Sequence, residues 1–228
     1  MTISKLSTTT GVGPSMPKAD FSNTPSGTLS EGGINYKYVT FNSTGSLDIT
    51  ISGFADVLII GGAGGGQAFG WNRSLFAAGG AGGFLRQTLM LNAGTYTVTV
   101  GAGGAAASNG NTSGIGVVAK IGGGQRGFAI GVVCQNSGFG GGGCPGGTTS
   151  DAGGGDALYS DGAGAGGTVF GSANRDGRPD NITGATNTYC VGGLGTGSAS
   201  GAANTGNGGD GPNGTGGSGI VIVRVRTN

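Results

Sequence analysis

Apolar residues recur every second position along much of the chain after Ile34. "INYKYVTFN" and "SLDITIS" alternate apolar with polar residues, "FADVLII" ends in a continuous apolar run, and Gly45 and Gly53 punctuate them. A period of two over short β-branched and aromatic stretches predicts strands, and three in succession predict a meander. "GFLRQTLML" and "TYTVTV" flank "NAG", which predicts a hairpin with Gly94 in its turn. "GVVAKI" and "FAIGVVC" predict weaker strands. The chain closes on "GIVIVRVR", where Val221, Val223 and Val225 alternate against Ile222, Arg224 and Arg226. No stretch carries a helical apolar stripe of useful length. The pattern predicts an all-β protein: a small antiparallel β-sandwich framed by strands at its N- and C-flanks.

Glycine changes this picture. The chain has 59 Gly among 228 residues, and all but seven fall between Gly61 and Gly219 in separated runs such as "GGAGGG", "GGAGG" and "GAGG". Ordinary proteins hold about 7% Gly. In "GNGGDGPNGTGGSG", Gly208, Gly211, Gly214 and Gly217 recur every third residue, the period of an extended polyproline-II-type helix with a rise of about 3.1 Å per residue. One such helix has no internal hydrogen bonds. Several packed with Gly facing Gly can satisfy one another's N–H and C=O groups. Ordering Gly costs more backbone entropy than ordering any other residue, so the arrangement needs many bonds and a firm frame. The predicted strands supply that frame, and residues 34–228 read as one glycine-rich β domain. Residues 1–33 are Ser/Thr-rich, carry Pro14, Pro17 and Pro25, and lack any period. They read as an extended arm that orders on a partner.

Charge and chemistry narrow the function by exclusion. Charged residues are 9% of the chain and the net charge is +1, which leaves no basic field for nucleic acid. The apolar run Val57 to Ile60 is far short of the ~20 residues of a membrane helix, and the N-terminus lacks the apolar core of a secretory signal. Synthesis and assembly in a cytoplasm are expected. Cys134, Cys144 and Cys190 read as small reduced packing residues, with a Cys134–Cys144 bridge left open as the alternative. With no His, neither a zinc site nor general-base catalysis is expected. "DVLIIGGAGGG" invites a dinucleotide reading, but Gln67 stands where the third Gly or Ala belongs, no helix follows, and no acidic residue stands at the expected offset. Asp151, Asp156 and Asp161, with Asp176 and Asp180, have Asp-Gly spacing but no EF-hand pattern, and turn chemistry explains them. No enzyme, cofactor or metal is expected.

The material between the Gly runs remains. "FGWNRSLF" holds Phe69, Trp71, Asn72, Arg73 and Phe76; "ALYSD" holds Tyr159; "FGSANRDGRPDNITGATNTY" holds Phe170, Asn174, Arg175, Asp176, Arg178 and Tyr189. Aromatic, Arg and Asn side chains supply rigid anchors and adaptable hydrogen bonds at recognition surfaces. Each aromatic alone could equally cap a glycine layer. As a group, gathered where the repeating scaffold stops, these residues are expected to contact a receptor.

The order of "VLIIGGAGGG", "GGAGGFLRQTLMLNAGTYTVTVGAGG" and a terminal "GGSGIVIVRVR" resembles the glycine-rich domain of bacteriophage tail-fibre and related virion proteins. The resemblance covers roughly residues 35–228, with framework glycines matching at 61–66, 79–83, 101–104 and 206–219. It implies stacked polyglycine-II helices and variable loops that contact a host surface protein or glycan, as in tail-fibre tip adhesins. The Gly runs here are shorter and more interrupted than in the most regular adhesins. The expectation is a virion protein, attached to another virion protein through residues 1–33, with a homo-oligomer such as a trimer possible and no membrane insertion. The alternatives are a head fibre, capsid decoration or adaptor protein with a purely structural role and, more remotely, a glycine-rich ice-binding protein.

Overall fold

The computed structural model of the protein describes residues 16–69, 75–127, 159–160 and 175–228. Among them it places fifteen strands and no helix. Five form one antiparallel sheet in the order β2 (Gly27–Glu31), β3 (Ile34–Phe41), β15 (Ile220–Arg226), β5 (Gly53–Ile60) and β8 (Phe84–Leu91). A second five-stranded sheet runs β1 (Asp20–Phe21), β4 (Gly45–Ile51), β9 (Gly94–Thr99), β10 (Ser113–Ile115) and β11 (Ala119–Ile121). A small sheet joins β6 (Gln67–Phe69), β7 (Leu75–Ala77) and β12 (Tyr159–Ser160), and β13 (Arg178–Asp180) pairs with β14 (Asn187–Tyr189).

The period of two does its work at the interface of the two large sheets. Ala55, Val57 and Ile59 of β5 and Val221, Val223 and Val225 of β15 meet Leu47, Ile49, Val98 and Ile115 from the second sheet in one buried core. Each buried Val, Leu or Ile stabilises the fold by roughly 1.5–3 kcal/mol relative to exposure. The intervening residues Leu58, Ile60, Ile220 and Ile222 face the other way and are covered by Ala81, Phe84, Ile182, Tyr189 and Cys190. The β15–β5 centre is therefore a middle layer, which is why both strands are apolar on both faces.

Several expectations give way. The meander and the β8–β9 hairpin do not form, because β4 and β9 pair with each other in the second sheet while β3, β5 and β8 belong to the first. Alternation specifies which side chains face a core, and both sheets share this core, so the pattern is the same in either. "GVVAKI" is half turn: Gly116 (φ +50°) leads through the exposed Val117 into a strand confined to Ala119–Ile121. "FAIGVVC" lies outside the described residues. The arm expected over 1–33 is also too long, for Ala19 and Phe21 are buried in the sandwich core and β2 pairs along β3. Two apolar anchors inside a Ser/Thr-rich stretch are too few to show a period.

Beyond β5 the chain leaves β geometry and adopts a three-fold order. Gly61 and Gly64 donate their N–H groups to Gly83 and Gly80, Gly62 and Gly65 to Asn111 and Ser108, and Ala63 and Gly66 to Gly217 and Gly214, all at 2.8–2.9 Å. Every third residue thus bonds to the same neighbour, and the segment is ringed by three others. Residues 79–83 repeat this, with Gly79 and Gly82 donating to Gly209 and Gly206 and Gly80 and Gly83 donating to Gln125 and Gly122. This is a bundle of polyglycine-II-type helices, as the three-residue period predicted. Within 208–217 the period continues through two helices rather than one. Gly208 and Gly211 donate to Val191 and Leu194, a turn over 211–213 reverses the chain, and Gly214 and Gly217 donate back to Asp210 and Asn207.

Close approach explains the glycines. A Cβ at Gly61, Gly62, Gly64, Gly65 or Gly66 would drive into the backbone carbonyl of Gly122, Ala102, Gln125, Ala105 or Asp210 respectively. Ala81 is tolerated because its methyl group joins Phe84, three residues on, against Leu58 and Ile60 in the outer apolar layer.

Candidate functional site

The residues singled out around "FGWNRSLF" are positioned by one long hairpin. Its register is continuous: Gly53 pairs with Leu91 and Ile60 with Phe84 in the large sheet, Gly61 and Gly64 bond to Gly83 and Gly80 in the bundle, and Gln67 pairs with Ala77 in the small sheet. The matching sequence blocks "GGAGG" at 61–65 and 79–83 are the two arms of this structure. Six residues at about 3.1 Å each carry β6 and β7 about 19 Å beyond the sandwich. Phe69 and Leu75, the described residues on either side of 70–74, pair at that far end.

Other segments return to the same end. Gly127 donates to Gly65 (3.1 Å), which places it beside the segment that enters β6. Tyr159 pairs in parallel with Phe76, and Ser160 with Ala77. Arg175 re-enters close by: its carbonyl accepts the Gly192 N–H (3.0 Å), and Gly193 donates to Gly79 (3.1 Å). The described residues flanking 70–74, 128–158 and 161–174 thus all lie at one end of the bundle.

The predicted site residues divide accordingly. Phe69, Phe76 and Tyr159 are brought together in the small sheet, with Phe76 half-buried. Trp71, Asn72, Arg73, Phe170 and Asn174 lie outside the described residues. Arg175 is half-buried, its Nε donating to the Gly192 carbonyl (3.1 Å), and Asp176 is exposed.

Arg178 and Tyr189 do not join that end. They are opposite partners in the β13–β14 hairpin, which lies against the outer face of the large sheet. The Tyr189 ring is buried in the outer apolar layer, and burial, reinforced by the charge of Asp180, pushes its phenol above the ordinary value. The Arg178 guanidinium stacks over the Phe84 ring at 4.6 Å. Both residues hold the hairpin down. Cys190, next to Tyr189, is a buried free thiol pushed well up by burial, the packing role expected of it. Cys134 and Cys144 lie outside the described residues.

Sequence reading missed a charged network beneath this hairpin. Arg224 is buried; its guanidinium bonds Asp56 (2.8 Å) and Glu31 (3.1 Å), donates to the Ile182 carbonyl (3.4 Å) and stacks over Tyr36 (4.4 Å). Arg86 reaches Asp180 at 3.1 Å, and Thr88 donates to Asp56 at 2.7 Å. Burial pushes the Asp56 carboxyl up, but the bonds from Thr88 and Arg224 and the charges of Arg224 and Arg86 outweigh it and hold it below the ordinary value. The available signal was Arg224 and Asp56 interrupting strands that are otherwise apolar on both faces. The network clamps the hairpin to the sheet.

Fold and geometry together define a glycine-rich all-β protein, in which a sandwich carries a polyglycine-II bundle and the bundle carries a cluster of loop anchors. The chain belongs to the family described as Glycine-rich domain, whose model matches residues 40–226. No curated protein matched the chain.

Proposed function

We propose that the protein is a bacteriophage virion component, a tail-fibre or fibre-tip adhesin that recognises a bacterial surface protein or glycan with the loops at the far end of its glycine bundle. The observation that carries this reading is the convergence at one end of the described residues flanking 70–74, 128–158 and 161–174, segments that with their flanks hold Trp71, Arg73, Tyr159, Phe170, Asn174 and Arg175. A bundle stapled by backbone bonds is a stiff support, and recognition residues on rigid supports lose little entropy on binding. Residues 1–15 attach the molecule to another virion protein, and the chain works without enzymatic activity or cofactor.

The test is binding of the fluorescently labelled full chain to bacterial cells. Trp71→Ala combined with Arg73→Ala lowers binding at least tenfold while the circular dichroism spectrum and melting temperature stay unchanged. Undiminished binding by that folded variant contradicts the assignment of the loops. A chain lacking residues 1–15 keeps its fold and fails to enter particles, and normal incorporation would refute the attachment role.

A further inference from the structure

We propose that the end of the sandwich remote from the glycine bundle carries a docking site for an acidic segment of a partner protein. At this end a cavity of about 300 Å³ is lined by Lys18, Asp20, Lys37, Ile51 and Arg226. Arg226 closes β15, whose other end, Ile220, abuts the bundle through the Gly219 to Gly101 bond. The strand length, at roughly 3.3 Å per residue, separates the cavity from the bundle by about 20 Å.

The charges in the cavity do not balance. Its single carboxylate, Asp20, is taken by Lys37 at 2.6 Å, and Lys37 also donates to the Phe21 carbonyl (3.0 Å) and sits over the Phe21 ring (4.5 Å). Lys18 donates to the Thr227 carbonyl (3.1 Å) and shares the field of Asp20 with Lys37 without an ion pair of its own among the described residues. The exposed Arg226 side chain has no ion pair or hydrogen bond among the described residues. Three cationic side chains, Lys18, Lys37 and Arg226, thus share one lining carboxylate, Asp20, in a molecule whose total net charge is +1. A carboxylate seated between them gains charge-assisted bonds and relieves their repulsion.

The rim points to protein rather than nucleic acid. Ile51 is 56% exposed beside the cations, and Met16, 67% exposed, is fixed nearby because the Pro17 carbonyl accepts the Phe54 N–H (2.8 Å). Apolar side chains with Arg at their margin have the composition of a protein interface. Binding to a duplex calls for a longer basic stripe. Residues 1–15, which lead into Met16 and Lys18, contain no Asp or Glu, so that segment does not supply the carboxylate. The site stands independently of what the loop end binds.

The experiment titrates the full chain with a blocked hexapeptide of alternating Glu and Leu, followed by amide NMR shifts. Saturable binding that moves the signals of Asp20, Ile51 and Thr227 is expected. The Gln/Leu version of the peptide should bind at least tenfold more weakly. Lys18→Glu with Arg226→Glu should weaken binding at least tenfold, and Arg226→Gln alone at least threefold, at unchanged melting temperature. Absence of binding, equal binding of the Gln peptide, shifts confined to another surface, or displacement of the peptide by duplex DNA would each overturn the proposal.

Discussion

The sandwich and the glycine bundle bury their chains by opposite means. In the sandwich, side chains such as Leu47 and Val98 fill the space between sheets, and the backbone bonds lie in the sheet planes. In the bundle, residues 61–66 are as buried as the sandwich core, yet their surroundings are backbone, reached by hydrogen bonds in three directions. Apolar area stabilises the first region. The second rests on the bonds themselves, each worth about 0.5–1.5 kcal/mol net, against the high cost of ordering Gly. The same methyl group therefore has opposite value in the two regions.

Substitutions can break the comparison directly. Leu47→Ala removes a fully buried side chain and should cost about 2–5 kcal/mol in urea unfolding. Gly64→Ala adds a methyl against the Gln125 carbonyl, which no side-chain rotation relieves, and should cost about 1–3 kcal/mol. If Gly64→Ala were neutral, the close backbone packing of the bundle would be wrong.

Acid sharpens the contrast, since the sandwich side carries the charged clamp. The Asp56 carboxyl is held low in the folded protein, so its contribution is fully present above the unfolded value of about 3.9. It is lost as pH falls through the lower, folded value. Urea midpoints should therefore fall below about pH 4, and Asp56→Asn should flatten that decline while lowering stability at neutral pH. A decline of unchanged steepness in Asp56→Asn would remove Asp56 as its cause.

The smallest effect is the control within the bundle. Gly122 has open space where a Cβ would stand. Gly122→Ala should be neutral or stabilise by about 0.4–1 kcal/mol, through the unfolded chain. A cost equal to that of Gly64→Ala would mean that alanine acts through propensity and not through contact.

Much of this division was legible in the sequence. The period of two in "GIVIVRVR" identified the core-facing Val221, Val223 and Val225, and the period of three at Gly208, Gly211, Gly214 and Gly217 identified the polyglycine geometry. Which sheet each strand joins was not legible, because alternation carries no label for its partner. Nor was the turn at 211–213, since the three-residue spacing runs through it unbroken. Within the site, Phe69, Phe76 and Tyr159 were recognisable as aromatics interrupting the glycine. Tyr189 and Arg178 carried the same local signal, yet they pack on Leu58 and Phe84 and their neighbours. The packing role of Tyr189 follows from the placement of the β13–β14 pair over the large sheet, which local sequence does not encode.

Native-state hydrogen exchange read residue by residue measures the bundle most directly. Every amide from Gly61 to Gly66 donates to a neighbouring segment, whereas among the described residues β8 lies at a sheet edge with only β5 beside it. The account predicts slow, uninterrupted protection across residues 61–66, comparable to central β5, and alternating protection along β8. Fast exchange throughout 61–66, as in a solvated glycine loop, would contradict it.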